Sequence, residues 1–92
     1  MSADDDESES ETVQVWFVHR EYTDKGMLSL TYATTDGEWV LERQQSMNAP
    51  DPTAAREADR DDLREVEDET DRERYATEAT RMADRYDPDE RV

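Results

Sequence analysis

Residues 12–46 carry the clearest periodicity in the chain. In "TVQVWFVHREY", residues 12–22, Val13, Val15 and Phe17 recur at every second position, which predicts a strand. Trp16 and Val18 are apolar too, so both faces of that strand need cover. "TDKG", residues 23–26, reads as a turn, with Gly26 free to take a positive φ. "MLSLTYAT", residues 27–34, sets Leu28, Leu30 and Tyr32 against Ser29, Thr31 and Ala33 and predicts a second strand. Thr35-Asp36-Gly37 carries the Asp-Gly hairpin signal, and a third strand follows over residues 38–46. Three runs joined by two short turns predict an antiparallel meander.

The period then lengthens. Asp51-Pro52 resembles an N-cap followed by proline in the first helical position, and predicts a short helix over about residues 52–60 whose apolar side is only Ala55 and Ala58. Leu63 and Val66 stand alone among acids. Thr70 and Glu73 have capping-box spacing, and Tyr75, Ala79, Met82, Ala83 and Tyr86 fall on one face of a longer helix that Asp87-Pro88 ends.

The expected fold is α+β: a three-stranded antiparallel meander packed by a C-terminal amphipathic helix, with a short helix between. Residues 12–86 form the domain, residues 1–11 a disordered acidic tail, and residues 87–92 a short C-terminal tail. The second strand decides the buried face. Leu28, Leu30 and Tyr32 must be covered, so Val13, Val15, Phe17, Trp39 and Leu41 are expected to join them under Tyr75, Met82 and Tyr86. Trp16, Val18, Met27 and Val40 are left on the opposite face as a possible interface.

Charge changes the picture of the surroundings. The chain has 92 residues and a formal net charge of -16, of which -6 lies in residues 1–11, -2 in residues 12–46 and -8 in residues 47–92. Such a surface repels itself in dilute salt, and a Debye length of about 3 Å at 1 M removes most of that repulsion. Ten arginines stand against one lysine, Lys25. With "MSADDDESESE" and "ADRDDLREVEDETDRERYATEATRMADRYDPDE", the chain resembles the small acidic cytosolic proteins of halophilic archaea that have no assigned function. The resemblance is one of composition. It implies a habitat and carries no site residue.

Candidate chemistry is sparse. There is no cysteine, which excludes a disulfide framework, a thiol nucleophile and a cysteine zinc site. No apolar run reaches the roughly 20 residues of a membrane-spanning helix, and the acidic first residues differ from a signal peptide, so a cytoplasmic location is expected. His19 is the one histidine, with Glu21 its same-face neighbour two residues on. The pair could serve a small-molecule or hydrolytic enzyme as base and orienting group, with His19 expected on the side of Phe17. No phosphate loop, dinucleotide or zinc-hydrolase motif is present. The acidic runs lack the glycine of a calcium loop. Arg20, Lys25 and Arg43 are the only bases in the strand region, too few for a phosphate stripe. The sequence therefore leads to a non-enzymatic protein without cofactor or metal. It is expected to act by contact with another protein or by self-association as a dimer.

Overall fold

The computed structural model describes residues 12–23 and 25–92, so the expectation for residues 1–11 lies outside the described residues. Five strands are present: β1 Thr12–Tyr22, β2 Met27–Ala33, β3 Trp39–Ser46, β4 Ala55–Asp59 and β5 Arg64–Glu65. A 3-10 turn at Arg60–Asp62 joins the last two, and helix α1, Glu69–Arg85, follows. The sheet order is β4-β1-β2-β3-β5, with every neighbouring pair antiparallel. The meander is thus the centre of a larger sheet.

The short helix expected over residues 52–60 is instead β4. Ala55 and Ala58, three residues apart, read as one helical face. In a strand that spacing puts them on opposite faces, and each fills a different core: Ala55 packs with Trp16, and Ala58 with Val15. Tertiary pairing with the open edge of β1 outweighs the helical preference of Ala, Arg and Glu here.

β4 and β5 lie at opposite edges of the sheet, yet only residues 60–63 separate them. Four inter-strand gaps of about 4.8 Å make roughly 19 Å across a flat sheet. Five extended peptide units reach at most about 17 Å, and a 3-10 turn rises only about 2 Å per residue. The connection can close only if the sheet curls. It crosses the face that holds Val15, Leu28, Leu30, Tyr32 and Leu41, and Leu63 packs into that cluster. On the way Arg60 lies over the Trp39 ring, 5.7 Å from its centroid, and Asp62 pairs with Arg43 at 3.5 Å. Residues 47–54 cross the same face nearer its other end, where Gln45 Nε2 donates to the Pro50 carbonyl at 3.2 Å. This concave face is filled by its own side chains and two chain crossings, without a helix.

Helix α1 covers the convex face. Trp16, Ala33 and Val40 form one cross-strand row there, and Ala79, Tyr75, Met82, Ala83 and Tyr86 pack on it. The helical face was read correctly from its spacing; the side of the sheet it covers is the reverse of the expectation. The cap at the helix start is Asp68, and the expected Thr70–Glu73 capping box falls inside the helix. Residues 87–92, expected as a tail, run back beside β4: Ala54 N–H donates to the Glu90 carbonyl and Val92 N–H to that of Pro52, at 2.7 and 2.9 Å.

The β2–β3 turn lies directly against the backbone of helix α1. Gly37 has φ +74°, and its N–H donates to the Thr34 carbonyl. Thr34 Oγ1 and Glu38 N–H both donate to Asp36 Oδ1, at 2.6 and 2.9 Å. A Cβ at Gly37 would run into the Arg72 carbonyl oxygen and sit 2.8 Å from the Ala76 amide nitrogen, whereas one at Gly26, φ +76°, meets nothing. Both Gly→Ala changes carry the left-handed penalty of about 1–2 kcal/mol. Only Gly37→Ala adds overpacking of roughly 1–3 kcal/mol against helix backbone. Urea unfolding is expected to show Gly37→Ala as the more destabilised variant by at least about 1 kcal/mol; equal losses would mean that the helix yields freely.

Candidate functional site

The four residues expected to form an exposed interface do not share a surface. Trp16 is 6% exposed and Val40 0%, both under α1. Val18 is half-buried against the same helix-covered cluster, and Met27 is half-buried at the start of β2. The reason is the curl. The face with the cleaner alternation closes on itself, which leaves the Trp16 face to the helix. Burying a large ring beneath α1 contributes more than exposing it would, at about 25 cal/mol per Å².

His19 is placed by a bulge. β1 and β2 slip register between Phe17 and His19, so His19 opposes Thr31 and leaves the side of Phe17 for that of Val18. There it lines an open cleft of about 470 Å³ with Val18, Arg74, Tyr75 and Glu78, between the end of β1 and the outer side of α1. His19 Nε2 lies 3.8 Å from Glu21 Oε1, so the expected neighbours do meet, with side chains 60% and 71% exposed. A contact so open to water holds little energy and little geometry. Arg74 is paired with Asp71 and Glu78 with Arg81, at 3.2 and 3.3 Å along the helix. Among the described residues the cleft offers an imidazole and a phenol but no serine, threonine or cysteine nucleophile. Among the described residues, no group of three or more His, Asp or Glu side chains is placed to hold a metal ion.

The concave face gathers arginines. Arg20 lies 5.3 Å from the Phe17 ring centroid and Arg56 5.8 Å from that of Tyr32, in addition to Arg60 on Trp39. Phe17 and Tyr32 meet edge to face at 5.6 Å. The guanidinium groups themselves thus lie over the rings of this face, and that of Arg20 also donates to the Val92 carbonyl at 3.2 Å.

Beyond the body of the domain, β1, β2 and β3 continue as a ribbon. β4 pairs with β1 only from Thr12 to Trp16, and β5 with β3 only at Trp39 and Val40. Residues 18–22 of β1 and 41–46 of β3 therefore have no strand beside them among the described residues. The direction of the free groups on β3 follows from two bonds. Thr34 N–H donates to the Trp39 carbonyl, which faces β2; Val66 N–H donates to the Glu38 carbonyl, which faces away. Alternation then points the N–H and C=O of Glu42, Gln44 and Ser46 outward. Residues 43–50 contain no acid, in a chain with 27. The alternation that predicts β3 marks this edge only once β5 is known to be short.

The fold is α+β, a curled antiparallel sheet of five strands backed by one helix. The chain belongs to a family of unknown function, DUF7967, whose family model matches residues 9–92. No curated protein and no solved structure matches it. No helix is long and apolar enough to cross a membrane, among the described residues.

Burial raises the phenol pKa of Tyr32 above its ordinary 10.0, opposed by the Arg56 guanidinium that bonds to it and, more weakly, by Arg20. The folded chain then holds that proton more tightly than the unfolded chain. This stabilisation is complete below about pH 10 and is lost as pH rises through the raised folded value. Urea unfolding between about pH 9 and pH 11 is expected to show a smaller loss of stability for Tyr32→Phe than for the wild type; parallel losses would assign the alkaline effect to other groups.

Proposed function

We propose that this chain is a small, salt-adapted, non-enzymatic cytoplasmic protein of the halophilic archaeal kind, acting through protein–protein contact and above all through self-association. The observation that carries the reading is the ribbon: two strand edges without neighbours among the described residues, one of which, on β3, has no acid after Glu42. An unpaired edge is a template for another chain, and sheets that avoid association blunt it with lysine, proline or inward charge. Residues 44–46, Gln-Gln-Ser, carry none of these. The acid elsewhere, net -16, supports a protein that works where salt screens it.

A second reading, a small-molecule or hydrolytic enzyme using His19 and Glu21, is favoured by one observation: His19 lines a cleft. It ranks lower because the pair is open to water and the neighbouring Arg74 and Glu78 are engaged along the helix. The two separate by experiment. The melting temperature is expected to rise substantially from about 0.1 M to about 2 M KCl as the Debye length falls from about 10 Å to below 3 Å. Light scattering in the higher salt is expected to give a mass above the 10.8 kDa of one chain, unchanged in His19→Ala. A flat melting temperature would remove the salt-adapted reading. A single-chain mass at every protein concentration would remove self-association, and a His19→Ala chain that no longer associates would shift the site to the cleft.

A further inference from the structure

We propose that a second copy of this chain adds to the free edge of β3, antiparallel, about a two-fold axis at Gln44. The inference rests on the self-association reading above and names its surface. A two-fold axis normal to the sheet pairs residues that point to the same face, so only alternate registers are open to the edge. Their chemistry differs. An axis at Glu42 or at Arg43 sets like charges directly opposite one another, which is unfavourable. An axis at Gln44 sets Arg43 opposite Gln45 of the second copy and Glu42 opposite Ser46, with a neutral pair at the centre.

Backbone direction selects the same register. Glu42, Gln44 and Ser46 face outward, so an axis at Gln44 lets all three exchange N–H···O=C bonds with the second copy. An axis at Arg43 would need Val40, whose outward groups are already taken by Arg64 of β5. An axis at Gln45 would carry the ladder past the end of β3. The exposed Met47 of each copy would come beside Leu41 of the other, on the concave side. β4 carries two acids, Glu57 and Asp59; β5 and the free part of β1 carry one each, Glu65 and Glu21, as the free part of β3 does in Glu42, but only β3 continues beyond its acid into an acid-free run, residues 43–46. In this register the paired residues 42–46 carry one acid and one base, Glu42 and Arg43, so two acidic chains meet there along a stretch of zero net charge.

The test is light scattering and sedimentation in about 2 M KCl on the full chain. Wild type is expected at twice 10.8 kDa. Gln44→Pro removes an outward N–H from each copy and is expected to weaken association roughly thirtyfold, with circular dichroism unchanged. Gln45→Pro removes an N–H that faces β2 and is expected to destabilise the monomer itself. Should Gln44→Pro unfold the chain, Gln44→Lys at the exposed position replaces it. In about 0.5 M KCl it sets two like charges at the axis and is expected to lower dimer mass toward one chain. Lys25 offers an independent measurement. In this register the two Lys25 residues lie more than about 25 Å apart, at about 3.4 Å per residue along the strands. A short amine-reactive reagent should not join them. A Lys25–Lys25 cross-link would place the copies tip to tip and overturn the proposal. A dimer that survives both Gln44 variants would overturn it as well, while leaving self-association standing at another face. A wild type that is monomeric at every concentration would overturn both.

Discussion

The four residues between β4 and β5 are too few to cross a flat sheet of five strands, and most of the structure follows from that shortage. The sheet must curl until its edges approach. Curling turns the Val15, Leu30, Tyr32 and Leu41 face inward, where large side chains fill the concavity and Leu63 closes it from the connection itself. The opposite face becomes convex and has room for one helix. Ala33 between Trp16 and Val40 keeps that row low, and Gly37, without a Cβ, lets the hairpin turn touch helix backbone. β5 itself has only two residues, Arg64 and Glu65, which leaves most of β3 without a neighbour among the described residues.

How much of this could be read from the residues depends on the range of the interactions that decide each part. β1 matches its expected bounds, residues 12–22, and β2 and β3 differ from theirs by one residue at one end. Local alternation and two glycines at positive φ determine them, and both signals are short in range. The face of α1 was legible for the same reason. What it covers was not. Leu28, Leu30 and Tyr32 announce a buried face, but burial by a helix and burial by curling leave the same alternation. β4 was misread because Ala55 and Ala58 fit two periods, and the pairing with β1 that chooses between them lies some forty residues away in sequence. His19 and Glu21 were legible as neighbours, while the side of the sheet they occupy was not. A one-residue bulge reverses the parity of every position after it.

The arginines join the composition to the fold. Ten arginines against one lysine say something about solvent when read as composition. Three of them, Arg20, Arg56 and Arg60, lie on the rings of Phe17, Tyr32 and Trp39 along the face that no helix covers. A guanidinium is planar and weakly hydrated and can lie on a ring; an ammonium on a flexible stem is compact and strongly hydrated. Arginine is therefore the cation that can both roof an aromatic concavity and keep its charge in water. Replacing these three by lysine would preserve net charge and lose much of the roof. Part of the positive charge that an acidic chain retains, three of ten arginines, lies where the aromatic side of the sheet has a flat, charged cover. At those positions the preference for arginine has a structural reason that holds in any solvent.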